Sequence, residues 1–381
     1  MTFFKAGLLV SAVMITATAL TAPAAAAAHD HAGARRSLEK AVEGGAPGIV
    51  AEVRDRRGRW FGSAGVADLK TGEKRRSGER FRIGSTTKTF TSVMVLQLAA
   101  EGRLSLDDSV DRWLPGLVRG NGYDGRKITI RQLLNHTSGI FNYGNDAELM
   151  KTAVGAAWYE HRFDNYTPMQ LVKIGLSNPP YFTPGAGFGY SNTNYYLAAL
   201  IIEKITGRSY RDELERRVLR PLGMSSTYLP GRDTKIRGEH PVHHSTLFSM
   251  DADPEIHDAT EMNQSFAWAA GGIVSTTGDL QRFFGPLLAG KLLPAAQQRE
   301  MFTTVATQGG PQWIPNTRYG LGVFSQDLPG GVTIWGNGGA TYGSWTFAMG
   351  TRDGSHLLTT QINGDWSGLA PFDDLFTAEF S

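Results

Sequence analysis

Strand-like patterning in this chain is confined to its two ends. Between Pro47 and Ala67 the residues Pro47 to Arg54, a turn at Arg56 to Gly58, and Arg59 to Val66 read as two strands joined by a short connection. Further strands are predicted late in the chain, at 319–324, 332–335, 345–349 and 356–363. The stretch 145–220 has mainly helical periodicity, as at 169–176 and 195–205, and no strand-like run. Helices are also predicted at 128–139, closed by Gly139, and at 277–288, 295–303 and 371–379. Strands at both ends and helices between them imply one α/β domain built from both termini, with an all-helical subdomain at about 105–265 inserted.

Residues 1–28 differ in kind. Lys5 precedes an apolar run from Ala6 to Leu20 and small residues from Ala22 to Ala28, the layout of a secretory signal peptide. The apolar run is short for a membrane span and is not repeated, so residues 29–381 are expected to be a secreted protein with no membrane anchor. Net charge is +2 over 381 residues, with both signs scattered, which points away from nucleic acid as a partner. There are no cysteines, which rules out thiol catalysis and thiolate metal sites. Of the nine histidines, His240, His243 and His244 cluster in a loop-like stretch, and His29 and His31 follow the leader. They lack acids at ligand spacing and read as solvated, with neither metal nor cofactor expected.

Candidate chemistry centres on Phe81 to Phe90. Phe81 and Ile83 suggest a strand entering a tight turn at Gly84, and a long apolar helix follows, from about Thr89 to Ala100. Ser85 then sits near the helix start, where free backbone N–H groups and the dipole favour negative charge on its oxygen. Lys88, three residues on, shares its face and can reach the hydroxyl. Ser37 and Lys40 have the same spacing but lie among charged residues, and read as a solvated helix start. Lys70-Thr71-Gly72, flanked by Asp68 and Glu73, reads as a hairpin turn.

A second constellation is Phe182-x-Pro184-Gly185 followed by Tyr190-Ser191-Asn192, just before an apolar helix. A phenol there can relay a proton between the attacking hydroxyl and the leaving group, and an amide can orient the lysine or a substrate carbonyl. Tyr143-Gly144-Asn145 repeats the spacing without the Pro-Gly turn. Taken with Asn135-His136-Thr137-Ser138-Gly139, the order Ser85-x-x-Lys88, Phe182-x-Pro184-Gly185, Tyr190-Ser191-Asn192 resembles the serine β-lactamase and DD-peptidase superfamily. It is most similar to secreted D-alanyl-D-alanine carboxypeptidases of the class C branch, from about Leu38 to near Phe380. The resemblance implies a β-lactamase/transpeptidase-like α/β fold, an antiparallel sheet flanked by helices with an inserted helical domain, and an active site between them. It also implies Ser85 as nucleophile, Lys88 and Tyr190 as proton-transfer groups, and Asn192 as a substrate contact.

The third motif of that superfamily departs from the pattern. The matching stretch is Trp335-Gly336-Asn337-Gly338-Gly339-Ala340-Thr341, with Asn337 where the family has His or Lys, and Gly338 and Ala340 in place of threonines. Phe324 stands where carboxypeptidases carry an arginine for the substrate carboxylate. A charged hydrogen bond of that kind is worth about 1.5–3 kcal/mol, so its loss weakens recognition of a free C-terminus. Asn192, Asn337, Gly338, Gly339, Thr341, Trp268 and Phe324 are the expected substrate-binding residues, with the Ser85 amide and one from the strand after Gly339, near Thr341, as oxyanion donors. The expected activity is acyl transfer through Ser85 by a monomer on a small peptide, ester or β-lactam, foremost as a D-Ala-D-Ala carboxypeptidase on cell-wall peptides. An esterase, D-aminopeptidase or β-lactamase is the alternative, and a penicillin-binding sensor the third reading. Lys88 must be neutral to act as base, a cost of about 5 kcal/mol that burial can impose; otherwise Tyr190 would act as phenolate.

Overall fold

A computed structural model describes residues 31–249, 251, 253–307 and 314–381. The expected leader and His29 lie outside the described residues. The first elements are α1 (Ala32–Glu43), β1 (Gly48–Asp55) and β2 (Gly58–Gly65), and then α2 (Thr87–Ala100). Helices α3 (Ile130–Leu134), α4 (Pro168–Ser177) and α5 (Asn192–Thr206) follow, then α6 (Thr277–Leu288) and α7 (Ala295–Phe302). The chain closes with β3 (Val305–Ala306), β4 (Thr317–Tyr319), β5 (Phe324–Asp327), β6 (Thr333–Thr341), β7 (Ser344–Gly350), β8 (Leu357–Ile362) and α8 (Ala370–Phe380).

The eight strands form one antiparallel sheet in the order β2-β1-β8-β7-β6-β5-β4-β3. Its seam joins the two ends of the chain, with Ile49 opposite Ile362. β1 and β8 are buried on both faces, which is why they read as near-continuous apolar runs, whereas the edge strand β2 is mostly part-exposed. On one face α1 and α8 pack through Ala34, Leu38, Phe372, Leu375 and Phe376 against Ile49, Val53, Met349 and Leu358. On the other, α6 brings Leu280, Phe283 and Leu287 to a larger core that also holds α2 and the helical region. α2 is buried almost all round, as a helix wedged between two layers must be. Its Phe90 stacks on Phe283 at 3.9 Å.

Several sequence expectations are corrected. The strand predicted at 319–324 is two strands, β4 and β5, because the chain reverses at Gly322 (φ +74°) and Gly320 N–H bonds Val323 O. The strand predicted at 332–335 runs on to Thr341, and each of its glycines marks a close approach: Gly336 to Ala348 on β7, Gly338 to the Phe347 ring and Gly339 to the backbone of the Ser85 turn. The helix predicted at 128–139 is only α3, started by a Thr129/Gln132 capping box; His136 at φ +61° turns the chain out of it well before Gly139. Ser37 is buried in mid-helix against Asp374 O rather than solvated at a helix start, although Lys40 is exposed and pairs with Asp374. Neither His243 nor His31 is a solvated histidine: His243 is fully buried, and His31 Nδ1 bonds Glu379. Lys70-Thr71-Gly72 forms a turn closed by Gly72 N–H to Asp68 O.

Candidate active site

Ser85 lies in a single 3-10 turn, Gly84–Thr86, that leads directly into α2. A two-residue strand pair, Phe81–Arg82 with Val274–Ser275, anchors the approach. Gly84 is held at φ +50°, a region that disfavours any side chain, and a Cβ there would meet Ala340 N and Ala340 O at 2.7 Å. From β6 the same closeness recurs: a Cβ on Gly339 would fall 2.2 Å from Ile83 O and 2.4 Å from Ser85 N. Two glycines therefore let the nucleophile turn and strand β6 touch backbone to backbone.

Three side chains converge on this turn. Lys88 Nζ, one helical turn along from Ser85, is 3.0 Å from Ser85 Oγ, 2.7 Å from Asn192 Oδ1 and 2.7 Å from Ala270 O. Tyr190 donates its hydroxyl hydrogen to Ser85 Oγ at 2.6 Å. Burial holds the Lys88 amine well below the ordinary lysine value, and no carboxylate contributes to hold it charged. Burial likewise pushes the Tyr190 phenol up, only partly opposed by its bond to Ser85. The lysine is thus biased toward the neutral amine and the tyrosine toward the neutral phenol. Of the alternatives left open by sequence, this environment favours Lys88 over a Tyr190 phenolate as the base.

The backbone of β6 supplies the second donor beside Ser85. The two-residue connection Tyr342-Gly343 closes β6 and β7, with Thr341 opposite Ser344 and Ala340 opposite Trp345. In such a hairpin the closing pair exchanges its hydrogen bonds, so the Thr341 amide is spent on β7 and the Ala340 amide faces the other way. That side is where Ala340 N approaches the Ser85 turn. Within the stretch after Gly339, register thus points to the Ala340 amide, next to Thr341, as the one directed at Ser85.

Two cavities meet at Ser85. One, of about 280 Å³, is lined by Asn142, Asn192, Trp158, Phe248, Met262 and Thr341 among others. Trp158 and Tyr342 stack at 3.5 Å in its wall. The other, of about 440 Å³, is lined by Tyr190, Ile314, Phe324, Trp345, Phe347 and Leu369 together with Gly338, Gly339 and Ala340. Among the described residues lining either cavity there is no Asp, Glu, Lys or Arg.

Not every expected substrate contact reaches these cavities. Asn337 is buried behind β6, its amide donating to Thr89 Oγ1 (3.0 Å) and Gly322 O (2.9 Å) while Oδ1 accepts from Gly338 N. With both ends of the amide occupied, it braces the strand against α2 instead of facing substrate. Trp268 packs on Tyr196 and Tyr210 at 5.2 and 5.3 Å and lines a separate depression with Tyr166 and Leu229. Its neighbours Ala267, Ala270 and Gly271, not its indole, border the site.

Some site residues had no clear signal in the sequence. Asn142 lines both cavities and accepts the Asn192 N–H at 3.1 Å. It directly precedes Tyr143-Gly144-Asn145, the stretch set aside for lacking a Pro-Gly turn; Tyr143 is buried and bonds Phe266 O, yet Tyr143 and Asn145 each border one of the cavities. Phe347, over Gly338, is the other: a Cβ on Gly338 would lie 2.3 Å from its ring.

The sequence pattern of the beta-lactamase family matches residues 25–366. Penicillin-binding protein 4* of Bacillus subtilis (strain 168) is 30% identical over 282 residues, 70% of this chain and 57% of that protein, so the chain spans little more than half of that relative's length. A D-stereospecific amidohydrolase from Streptomyces sp. superposes with a TM-score of 0.85 at 46% identity, covering 92% of this chain and 98% of that one. A D-amino acid amidase from Ochrobactrum anthropi SV3, at 24% identity and TM-score 0.76 over 91% and 97% of the two chains, has the same fold. With the motif order, the antiparallel sheet and a match over most of its length, this chain belongs to the beta-lactamase family and is a serine hydrolase of the β-lactamase and penicillin-binding-protein superfamily.

Proposed function

We propose that this protein is an amidohydrolase that forms an acyl-enzyme on Ser85 from small amides or esters of D-configured residues, uncharged next to the scissile bond. The observation that carries this reading is Ser85 Oγ, held between Lys88 and Tyr190 where two cavities meet whose described lining residues carry no charge. The 46% identity to a D-stereospecific amidohydrolase supports the configuration. A carboxypeptidase reading needs a cation for the terminal carboxylate, and Phe324 occupies that neighbourhood.

The mechanism follows from the donor and acceptor count. A neutral Lys88 amine has two hydrogens for the two carbonyl oxygens it faces, Asn192 Oδ1 and Ala270 O, which leaves its lone pair for the Ser85 hydroxyl hydrogen. As Ser85 Oγ attacks, that proton passes to Nζ and the carbonyl oxygen becomes an oxyanion between the Ser85 and Ala340 amides. Tyr190 then gives its proton to the leaving nitrogen and recovers one from Lys88 across Ser85 Oγ, restoring the neutral amine. In the second half the neutral Lys88 amine takes a proton from the attacking water and returns it to Ser85 Oγ as the tetrahedral intermediate collapses. This releases the acid and regenerates Ser85 without a proton from Tyr190.

All these groups come from one chain, which supports a functional monomer. Export is also proposed, from Lys5 and the apolar run Ala6 to Leu20; among the described residues no helix is long and apolar enough to cross a membrane. Steady-state kinetics on the D- and L-forms of phenylalanine amide, a D-Ala-D-Ala peptide and a cephalosporin test the substrate class. Preference for the D-amide is expected, and it should vanish in Ser85→Ala. Equal turnover of the L-amide, or a higher kcat/KM on the D-Ala-D-Ala peptide, would overturn the reading.

A further inference from the structure

His136 takes no part in the proton transfers above, yet it is fully buried immediately behind Tyr190, their ring centroids 4.4 Å apart. It follows α3 with φ +61°, a backbone state uncommon outside glycine but one in which asparagine, aspartate and histidine are enriched. That turn lets one residue grip the loop on both sides of the tyrosine. The His136 carbonyl accepts the Gly189 N–H at 2.9 Å, and its ring Nδ1 accepts the Ser191 N–H at 3.2 Å. Asn194 Nδ2 adds a second donor to Nδ1 at 3.3 Å, and its orientation is fixed because Asn194 Oδ1 accepts the Ser138 hydroxyl.

A ring nitrogen that accepts a backbone N–H carries no hydrogen, so the proton of the neutral ring is on Nε2. Nε2 has no hydrogen-bond partner and lies among aromatic rings, with Tyr195 and Tyr319 at 5.4 and 5.0 Å by centroid. Burial first, and second Lys88 whenever it takes up a proton, disfavour the imidazolium. The histidine is thus a fixed, neutral acceptor. It braces the one loop position whose side chain must meet Ser85 Oγ at 2.6 Å.

From this geometry we infer that His136 is a positioning residue for leaving-group protonation: by holding Gly189 and Ser191 it keeps the Tyr190 hydroxyl on Ser85. The inference rests on the proposed role of Tyr190. It has a distinctive consequence. An amide needs its leaving nitrogen protonated, whereas a p-nitrophenyl ester leaves as a stable anion and does not. Misplacing Tyr190 therefore slows amides selectively, and loosening the protein in general slows both.

The test measures kcat and KM for D-phenylalanine p-nitroanilide and D-phenylalanine p-nitrophenyl ester in the wild type and in Tyr190→Phe, His136→Ala and His136→Asn. Asparagine tolerates positive φ and offers Oδ1 as acceptor, so it is the conservative replacement. His136→Ala is expected to lower kcat on the anilide by about 10²-fold, with ester kcat and both KM values within about 3-fold of wild type, and His136→Asn to recover about 10-fold of the loss. If Tyr190→Phe lacks the anilide-selective loss, the role given to Tyr190 fails. If Tyr190→Phe has it and both His136 variants slow the two substrates equally, the inference about His136 is overturned. Thermal unfolding of each variant identifies misfolding, and a stable His136→Asn with wild-type turnover of both substrates, alongside an equally indifferent His136→Ala, would also overturn it.

Discussion

The two walls that meet at Ser85 are built differently. The helical wall presents Ser85, Lys88, Tyr190 and Asn192, each tied to another by a hydrogen bond and each in the place the family pattern gives it. The strand wall is bare backbone at Gly338 and Gly339, topped by the rings of Phe324, Phe347 and Trp345. Acyl-transfer chemistry needs a few polar atoms within tenths of an ångström and tolerates no substitution, whereas recognition can be rewritten by exchanging what lines the cavity. Retained chemistry beside replaced recognition is what the asymmetry teaches.

The division would break most visibly at the nucleophile. Ser85→Ala should lower kcat/KM on every substrate by at least about 10⁴-fold, measured by amide and ester turnover. Residual turnover above that level would place the chemistry elsewhere. Next in size is Gly339→Ala, which touches no side chain of the helical wall. Its Cβ would collide with Ile83 O and Ser85 N, so the strand must move back and withdraw the Ala340 amide, at about 10²–10³-fold in kcat. Unchanged kcat would remove β6 from the oxyanion site.

A smaller, opposite effect would sharpen the contrast. Phe324→Arg with Gly338→Thr should gain about 10-fold on a D-Ala-D-Ala peptide, but only when Phe347→Ala is added, because the Phe347 ring occupies the space of any side chain at 338. The two-substitution variant made without the Phe347 change is expected to lose stability instead, read as a lower Tm.

Lys88 offers a pH-dependent measure. An amine neutral in the folded chain and protonated in the unfolded one binds fewer protons when folded, so stability rises with pH from its depressed folded value toward the ordinary 10.5, by about 1.4 kcal/mol per pH unit. Lys88→Met should remove that slope in urea unfolding followed between pH 7 and pH 10. A retained slope would mean that Lys88 is charged when folded. Last, Ser37→Ala should leave turnover unchanged and cost at most about 1 kcal/mol, since among the described residues Ser37 Oγ bonds just Gly33 O and Asp374 O.

How far the sequence disclosed this molecule differs between the same two walls. Ser85, Lys88 and Tyr190 were readable because local patterns mark them: a serine at a helix start, a lysine one turn on, and an aromatic after a Pro-Gly turn. The strand wall was harder. Glycine has no periodicity to read, so the run from Gly336 to Gly339 hid the longest strand of the sheet, and only register against β7 assigns the free amide to Ala340. Asn337 and Trp268 were placed by position alone, but whether a side chain faces a cleft or a core depends on neighbours such as Thr89 and Tyr210, hundreds or tens of residues away. Helices such as α6 were legible because their apolar faces repeat within their own length, while hairpins such as β4 and β5 depend on a single glycine.

The seam between β1 and β8 also sets the order of events as the protein forms. Ile49 cannot pair with Ile362 until every residue between them exists, and among the described strands β1 is what links β2 to the sheet. A nascent chain halted before Leu357 would carry an apolar strand with one unpaired edge, and its helical middle would be free to compact first. Contacts of such long sequence separation slow folding and leave time for wrong pairings. The arrangement that pairs β1 with β8 thus makes the latest-made strand of this sheet the latch for the earliest.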